Sequence, residues 1–279
     1  MKRMKKLVVL GLMMIGSLCT GCGAGVGSAI TVVSREEGSG TRSAFTELIG
    51  VAENDVDHTV VTAEITNSTS VMMATIAGNE NAIGYISMGA LNESVKALKV
   101  DGVEPTPENV KSGSYKVSRP FQLCISKDGA TGIAKDFIDY VLSDDGQLVI
   151  TEAGYISVAA GKEYEASGKE GKITVAGSTS VAPVMEKLAE EYKKLNPKVN
   201  IEIQQTGSGA GIESATQGAC DIGMSSRALK EEELLNLEEI NIAMDGICVI
   251  VNVNSQIEEL SATEIKDIYI GNITDWSEM

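Results

Sequence analysis

The chain has 279 residues, 43 % of them hydrophobic and 22 % charged, enough to bury one large core or two medium lobes and too apolar for a disordered chain. Lys and Arg total 23 against 39 Asp and Glu, and the resulting formal net charge of -16 repels nucleic acid and anionic membrane surfaces. An anion that binds such a chain has to be drawn in by local dipoles.

Residues 1–22, "MKRMKKLVVLGLMMIGSLCTGC", carry four basic residues, an apolar run from Leu7 to Leu18 and small residues before Cys22, the pattern of an export signal. The apolar run is a poor bilayer span, and no later stretch of about 18 to 20 apolar residues replaces it. "CTGC" resembles a bacterial lipobox, with Thr20 and Gly21 in the small positions and Cys22 as the lipidated residue, although Cys19 stands where an aliphatic residue is usual. The alternative is ordinary signal cleavage nearby, with Cys22 a spare thiol. Residues 23–29 then form a short tether. Cys124, Cys220 and Cys248 are odd in number and lie in apolar contexts, so the sequence favours buried free thiols over a Cys220–Cys248 bond and points to no disulfide framework or metal site.

From Ile30 the pattern is α/β alternation: "ITVVS" as strand, "RSAFTELIGV" as helix, "TVVTAEI" as strand, "STSVMMATIA" as helix and "AIGYIS" as strand. "SRPFQLCIS" reads as a further strand. In the helical "GIAKDFIDYVLS" that follows, Ile133, Phe137, Ile138, Val141 and Leu142 fall at core spacing. Residues 161–171, polar, glycine-rich and without apolar period, read as a linker. Beyond it "ITVAG" is a strand, "VAPVMEKLAEEYKKLN" a long amphipathic helix, "VNIEIQQTG" a strand, "GIESATQGA" a helix, and "CDIGMSS" and "AMDGICVIVNVN" strands. Ser261 followed by Glu264 is a capping-box pattern.

The informative feature is a repeated local design. "GSGTR" at 38–42, "GSTS" at 177–180 and "GSGAG" at 207–211 each follow a strand and precede a helix. Glycine lets backbone N–H groups approach a ligand, serine and threonine add hydroxyls, and a helix N-terminus favours negative charge. One such loop is ordinary turn and cap chemistry; three that converge enclose a small oxyanion. Arg35 and Arg42 bring guanidinium groups suited to bidentate contact with its oxygens. For Arg42 the competing reading is a surface ion pair with Glu36, Glu37 or Glu47.

None of the loops ends in the "GK[ST]" of a nucleotide P-loop, which disfavours nucleoside triphosphates. There is no "GxSxG" elbow, and the single histidine, His58, is remote in sequence from all three loops, so a Ser-His-Asp hydrolase is disfavoured. Asp144 and Asp145 read as a turn or helix cap.

"VVSREEGSGTRSAF", "AIGYISMGAL", "VAGSTSVAPVM", "QQTGSGAG", "DIGMSSR" and "IKDIYIGNITDW" span nearly all of the chain beyond the signal. Together they resemble the substrate-binding proteins of phosphate-specific ABC transporters, the PstS family. The resemblance implies an α/β, two-lobed periplasmic-binding-protein-like fold of type II that closes on one inorganic phosphate and delivers it to the permease subunits. It implies no catalysis, cofactor or metal. With the signal and Cys22 it implies an extracytoplasmic, lipid-anchored monomer on the outer face of the cytoplasmic membrane. The family's usual order begins with the "GSTS" half, whereas here the "GSGTR" half comes first, so the chain looks circularly permuted, with 161–171 joining the old termini. On that reading one lobe combines 30–118 with 259–279 and the other 124–160 with 172–258, with hinge crossings at 119–123 and 252–259. A linker of this length closes within one chain or lets two chains exchange lobes.

Carried over by position, the phosphate contacts are Arg35, Ser39, Gly40, Thr41, Thr179, Ser180, Ser208 and Ser226. Glu37 stands for the family's common aspartate and would orient Arg35 by an ion pair. Ser226 occupies the place of an aspartate that accepts the phosphate proton, and its hydroxyl is a weaker acceptor. Asp245 in "MDG" is read either as a substitute acceptor or as a turn aspartate. Two other functions remain open: a secreted phosphoester hydrolase using Ser39 or Ser178, and a phosphate-sensing surface protein without transport.

Overall fold

The computed structural model describes residues 29–54, 56–158 and 161–279. The export signal and Cys22 lie outside the described residues.

The main elements in chain order are β1 (Thr31–Arg35), α1 (Gly40–Ile49), β2 (Glu64–Thr66), α2 (Thr69–Ala77), β3 (Ala82–Ser87), β4 (Val95–Ala97), α3 (Pro107–Lys111), β5 (Ser118–Ser126), α4 (Gly132–Val141), α5 (Asp144–Glu152) and β6 (Ile156–Ser157). After the linker come β7 (Gly171–Gly177), α6 (Ala182–Leu195), β8 (Val199–Gln205), α7 (Ser208–Thr216), β9 (Ile222–Ser225), β10 (Leu237–Asn252) and α8 (Ala262–Tyr269). One mixed sheet runs β8-β7-β9-β5-β10-β3-β1-β2, with β4 and β6 added alongside β10. β1 pairs in parallel with β2 and β3, and β7 in parallel with β8 and β9, so strand–loop–helix units fill both ends of the sheet.

Two large cores form on this sheet, with a smaller cluster of Cys124, Ile212, Ala215, Leu229 and Leu237 beneath α7. The first gathers β1, β3, α1, α2, α8 and the second half of β10 around Phe45, whose ring stacks on Tyr85 at 4.0 Å and meets Tyr269 edge-on at 4.9 Å. The second packs α4, α5 and α6 on β5, β7 and β9, with Phe137 against Tyr192 at 5.1 Å. The apolar spacing read in the α4 sequence has its reason here, since Phe137, Ile138 and Val141 are buried in the second core.

The chain passes between cores within β5 and β10. Val117 belongs to the first core and Phe121 to the second; Ala243 belongs to the second and Ile247 to the first. The expected second crossing at 252–259 is therefore corrected to 243–247. Ile247 to Val251 already pair with Ser87 to Ile83 of β3, and that apolar run is buried on the first core. β10 also starts upstream of the expected "AMDGICVIVNVN", because "LEEINI" pairs with β5 from Leu237 onward. The expected strand "TVVTAEI" shrinks to Glu64–Thr66: Val61 lies in a turn, 99 % exposed. The free Cys124 and Cys248 are buried and Cys220 is half-buried.

The linker is irregular but docked. Tyr164 and Ser167 donate to Asp136 Oδ2, each at 2.7 Å, and Tyr192 of α6 donates to the same oxygen at 2.6 Å. Burial alone would raise the Asp136 carboxyl, but the hydroxyls of Tyr192, Ser167 and Tyr164 and the charge of Lys169 outweigh it and hold the group below its usual range. A depressed carboxyl contributes stability that is present above its unfolded value, about 3.9, and lost as pH falls through the folded value. Asp136→Asn should therefore lose about 1–2 kcal/mol at pH 7 and lose less than the parent between pH 4 and pH 2. Urea melts across this range check it; parallel losses in the two proteins would refute the assignment.

Candidate functional site

Five loops leave the carboxyl ends of parallel strands, two from the first core after β1 and β2 and three from the second after β7, β8 and β9. In open α/β sheets this is the edge where ligands bind.

The loop after β1 is built around Arg35, whose side chain is 2 % exposed. Its Nε and Nη2 donate to the two oxygens of Glu36 at 2.8 and 2.9 Å, and Nη2 also donates to Thr179 Oγ1 across the cleft at 3.1 Å. The carboxylate paired with Arg35 is thus Glu36 and not the expected Glu37, which is exposed. Ser39 caps α1 by accepting from the Arg42 N–H at 3.4 Å. Arg42 lies outside the cluster: its Nε donates to Asp57 at 2.7 Å and its Nη1 to the carbonyl of Arg35 at 2.9 Å. The ion-pair reading of Arg42 holds, with a different partner from those expected.

From the other core, the loop after β7 presents Thr179 and Ser180. Ser180 Oγ lies 2.9 Å from Thr41 Oγ1, and Ser178 turns inward, accepting from the N–H groups of Ser180 and Val181 at 3.2 and 3.4 Å. Gly177 is required where β7 passes β9, since a Cβ there would collide with the backbone of Met224. Ser208, at the start of α7, accepts from the Ser226 N–H at 3.2 Å, and the two hydroxyls are 3.3 Å apart. The Gly209 N–H donates to Gly38 O at 2.9 Å, which joins the two cores through backbone alone.

Arg35, Ser39, Gly40, Thr41, Thr179, Ser180, Ser208 and Ser226 are thus brought to one buried, hydroxyl-rich cleft between the cores. Asp245 is not a member, and neither reading of it survives. It sits within β10, not in a turn, and both oxygens are occupied: Oδ1 accepts from Ser87 Oγ at 2.9 Å and the Met88 N–H at 3.2 Å, Oδ2 from Arg119 at 3.1 and 3.2 Å. Burial pushes its carboxyl up to about 6, against the opposing charge of Arg119.

Two residues escaped the sequence reading. Arg119 is buried beside Asp245, and nothing in "SRPFQL" marks it beyond the rarity of an arginine inside an apolar strand. Thr69, at the start of α2, lies 3.2 Å from Ser180 Oγ and 3.5 Å from Thr179 Oγ1. Its signal was a hydroxyl-rich "TNSTS" between strand and helix, without the glycine that marked the other loops. Among the described residues no group of His, Cys, Asp and Glu could hold a metal ion, and no helix is long and apolar enough to cross a membrane.

A cleft of neutral donors between two α/β lobes defines the class of two-lobed solute-binding proteins, and a model of the PBP superfamily domain matches residues 18–145 and 162–278. The chain is 48 % identical to "Phosphate-binding protein PstS 2" of Streptococcus agalactiae, over 100 % of this chain and 98 % of the relative. It is 42 % identical to the Streptococcus pneumoniae protein of the same name, over 100 % and 99 %. A solved phosphate-binding protein of a phosphate ABC transporter from Streptococcus pneumoniae superposes with a TM-score of 0.72 at 44 % identity, covering 90 % of this chain and 99 % of that one. The chain belongs to the PstS family of phosphate-binding proteins.

The approach of the lobes can be tested at Gly40. A Cβ there would stand 2.5 Å from Ser208 Oγ and 2.8 Å from Ser226 Oγ, closer than real contacts allow. Gly40→Ala should hold the lobes apart and speed amide exchange at Gly209 at least tenfold, about 1.4 kcal/mol, with the β5–β10 ladder unchanged. Hydrogen-exchange mass spectrometry reads both, and an unaltered Gly209 would show that this contact does not limit closure.

Proposed function

We propose that this protein captures inorganic phosphate between its lobes, outside the cytoplasm, and delivers it to an ABC permease. The observation that carries the reading is the convergence of one buried guanidinium, Arg35, with the hydroxyls of Thr41, Thr179, Ser180, Ser208 and Ser226 from strand–helix loops of both cores. Burying phosphate removes its water, so every oxygen needs a donor. Neutral hydroxyls and backbone N–H groups supply these without stacking cations, in keeping with a chain whose net charge is -16. In this reading Arg35, Ser39, Gly40, Thr41, Thr179, Ser180, Ser208 and Ser226 contact the anion and Glu36 orients Arg35.

Anchoring through a lipid on Cys22 completes the proposal, and metabolic labelling with a palmitate analogue, lost in a Cys22→Ser variant, tests it. Circular permutation is supported by the contact of the described N-terminal end with the C-terminal segment: Ala29 bridges Asp275, and the Ile30 N–H donates to Thr274 O at 2.8 Å. One chain then supplies both lobes and works as a monomer, which solution mass tests. Binding is favoured over ester hydrolysis by the state of the two candidate nucleophiles. Ser39 caps α1, Ser178 accepts from two backbone N–H groups, and neither bonds to a histidine or carboxylate among the described residues. Turnover of a chromogenic phosphate ester would reverse that preference.

Calorimetry should find one phosphate per chain. Arg35→Ala and Thr41→Val should each weaken it at least tenfold, about 1.4 kcal/mol or more, and sulfate should compete at higher concentration because Ser226 stands where the family carries an aspartate. Unchanged affinity in both variants would remove the assigned site.

A further inference from the structure

We infer that Thr69, on a fourth strand–helix loop, contacts the bound anion directly; the inference rests on the phosphate reading above. β2 pairs in parallel with β1, Thr66 opposite Arg35, so the chain after β2 leaves the sheet at the same edge as the Arg35 loop. Ser68 caps α2 by accepting from the Val71 N–H at 3.2 Å. That leaves Thr69, the first helical residue, with a hydroxyl free of capping duty and, like Ser70, a backbone N–H that no helical carbonyl can reach.

The hydroxyl is not used as helical threonines commonly use theirs. Thr46, Thr151 and Thr216, deeper in their helices, fold back onto the carbonyl four residues earlier at 2.9 Å, a partner that Thr69, as the first residue of α2, does not have in its own helix. Thr69 instead reaches across the cleft to Ser180 and Thr179, while only 5 % exposed. Both partners are already engaged with the site: Thr179 Oγ1 accepts from Arg35 Nη2 at 3.1 Å and Ser180 Oγ meets Thr41 Oγ1 at 2.9 Å. Thr69 thus belongs to the same polar ring as the guanidinium. A hydroxyl that is three-ångström neighbour to donors aimed at one anion is itself within reach of that anion's oxygens. Behind it the first turn of α2 adds a favourable dipole.

The test compares phosphate binding by calorimetry in the full chain and in Thr69→Val, Thr69→Ala and Thr69→Ser, with thermal melts without phosphate as the folding control. The expected result is at least a tenfold loss for valine and alanine, an affinity within threefold of the parent for serine, and unchanged melts. Parent-like binding in the valine and alanine variants overturns the role of Thr69 and leaves the phosphate reading standing. Equal losses in serine and valine overturn it too, because they trace the effect to side-chain packing. A parent protein that takes no phosphate brings down the phosphate reading and this inference together. Should the valine variant not fold, the alanine variant decides.

Discussion

The structure depends on one buried ion pair at the place where the chain changes cores. Arg119 and Asp245 face each other across the β5–β10 ladder, two residue pairs beyond Ala243, where β10 leaves the second core. Taking both charges out of water is costly, and the attraction repays it only when the remaining lone pairs are satisfied. The carboxylate meets this condition with four hydrogen bonds; the guanidinium lies 5.4 Å from the centre of the Phe121 ring and keeps one buried nitrogen, Nη1, without a partner among the described residues. A slip of one residue would separate the partners and leave two uncompensated charges in an apolar interior, so the pair fixes the register of the two strands that hold the lobes together. The register shift between Asn241 and Ala243 lies two residue pairs before it, where a bulge lets the ladder twist toward the first core.

With the crossing fixed, the position of the site follows. Each lobe contributes a set of parallel strands to the mixed sheet, β1, β2 and β3 in one and β7, β8 and β9 in the other, and β1, β2, β7 and β8 open directly into helices. The loops therefore bring unsatisfied helix N–H groups and capping hydroxyls from two sides into one volume. Glycine at 40 sets how closely those sides meet, because any larger residue would strike Ser208 and Ser226. The cleft is then a consequence of strand direction and cap chemistry more than of any single charged side chain.

What could be read in the sequence was what local physics determines. The alternation of apolar runs located most strands, and the amphipathic period of "VAPVMEKLAEEYKKLN" located α6, because those patterns mark burial on one face. Glycine next to serine marked three loops. The loop of Thr69 lacked glycine, and its hydroxyls looked like an ordinary cap, which one of them is. The choice between Glu36 and Glu37 was invisible, since adjacent carboxylates differ only in the direction the backbone gives them. Asp245 looked like a turn residue because a glycine follows it. In fact Gly246 packs against Val110 and Met88, where a Cβ would stand 3.0 Å from Val110 Cγ2, and the strand runs through both residues. The Asp136 knot joins residues 28, 31 and 56 positions apart, a separation that no local pattern reports.

The same geometry bears on how one tetrahedral anion is chosen over another. Glu36, the carboxylate that pairs with Arg35, has both oxygens committed to that guanidinium, and Asp245 is committed at the crossing. Among the described residues no carboxylate bonds to the hydroxyls of the cleft. A carboxylate accepts only, and so demands a proton from its anion; a hydroxyl donates or accepts as its partner requires. Ser226, hydrogen-bonded to Ser208, can turn its proton toward a bare oxygen or its lone pair toward a protonated one. On the proposed assignment of the site, such a cleft would recognise the tetrahedral shape and charge of its anion more strongly than its protonation state. On that assignment, selectivity against fully ionised oxyanions would have to come from the fit of the closed lobes, whose approach leaves no space for a Cβ at Gly40.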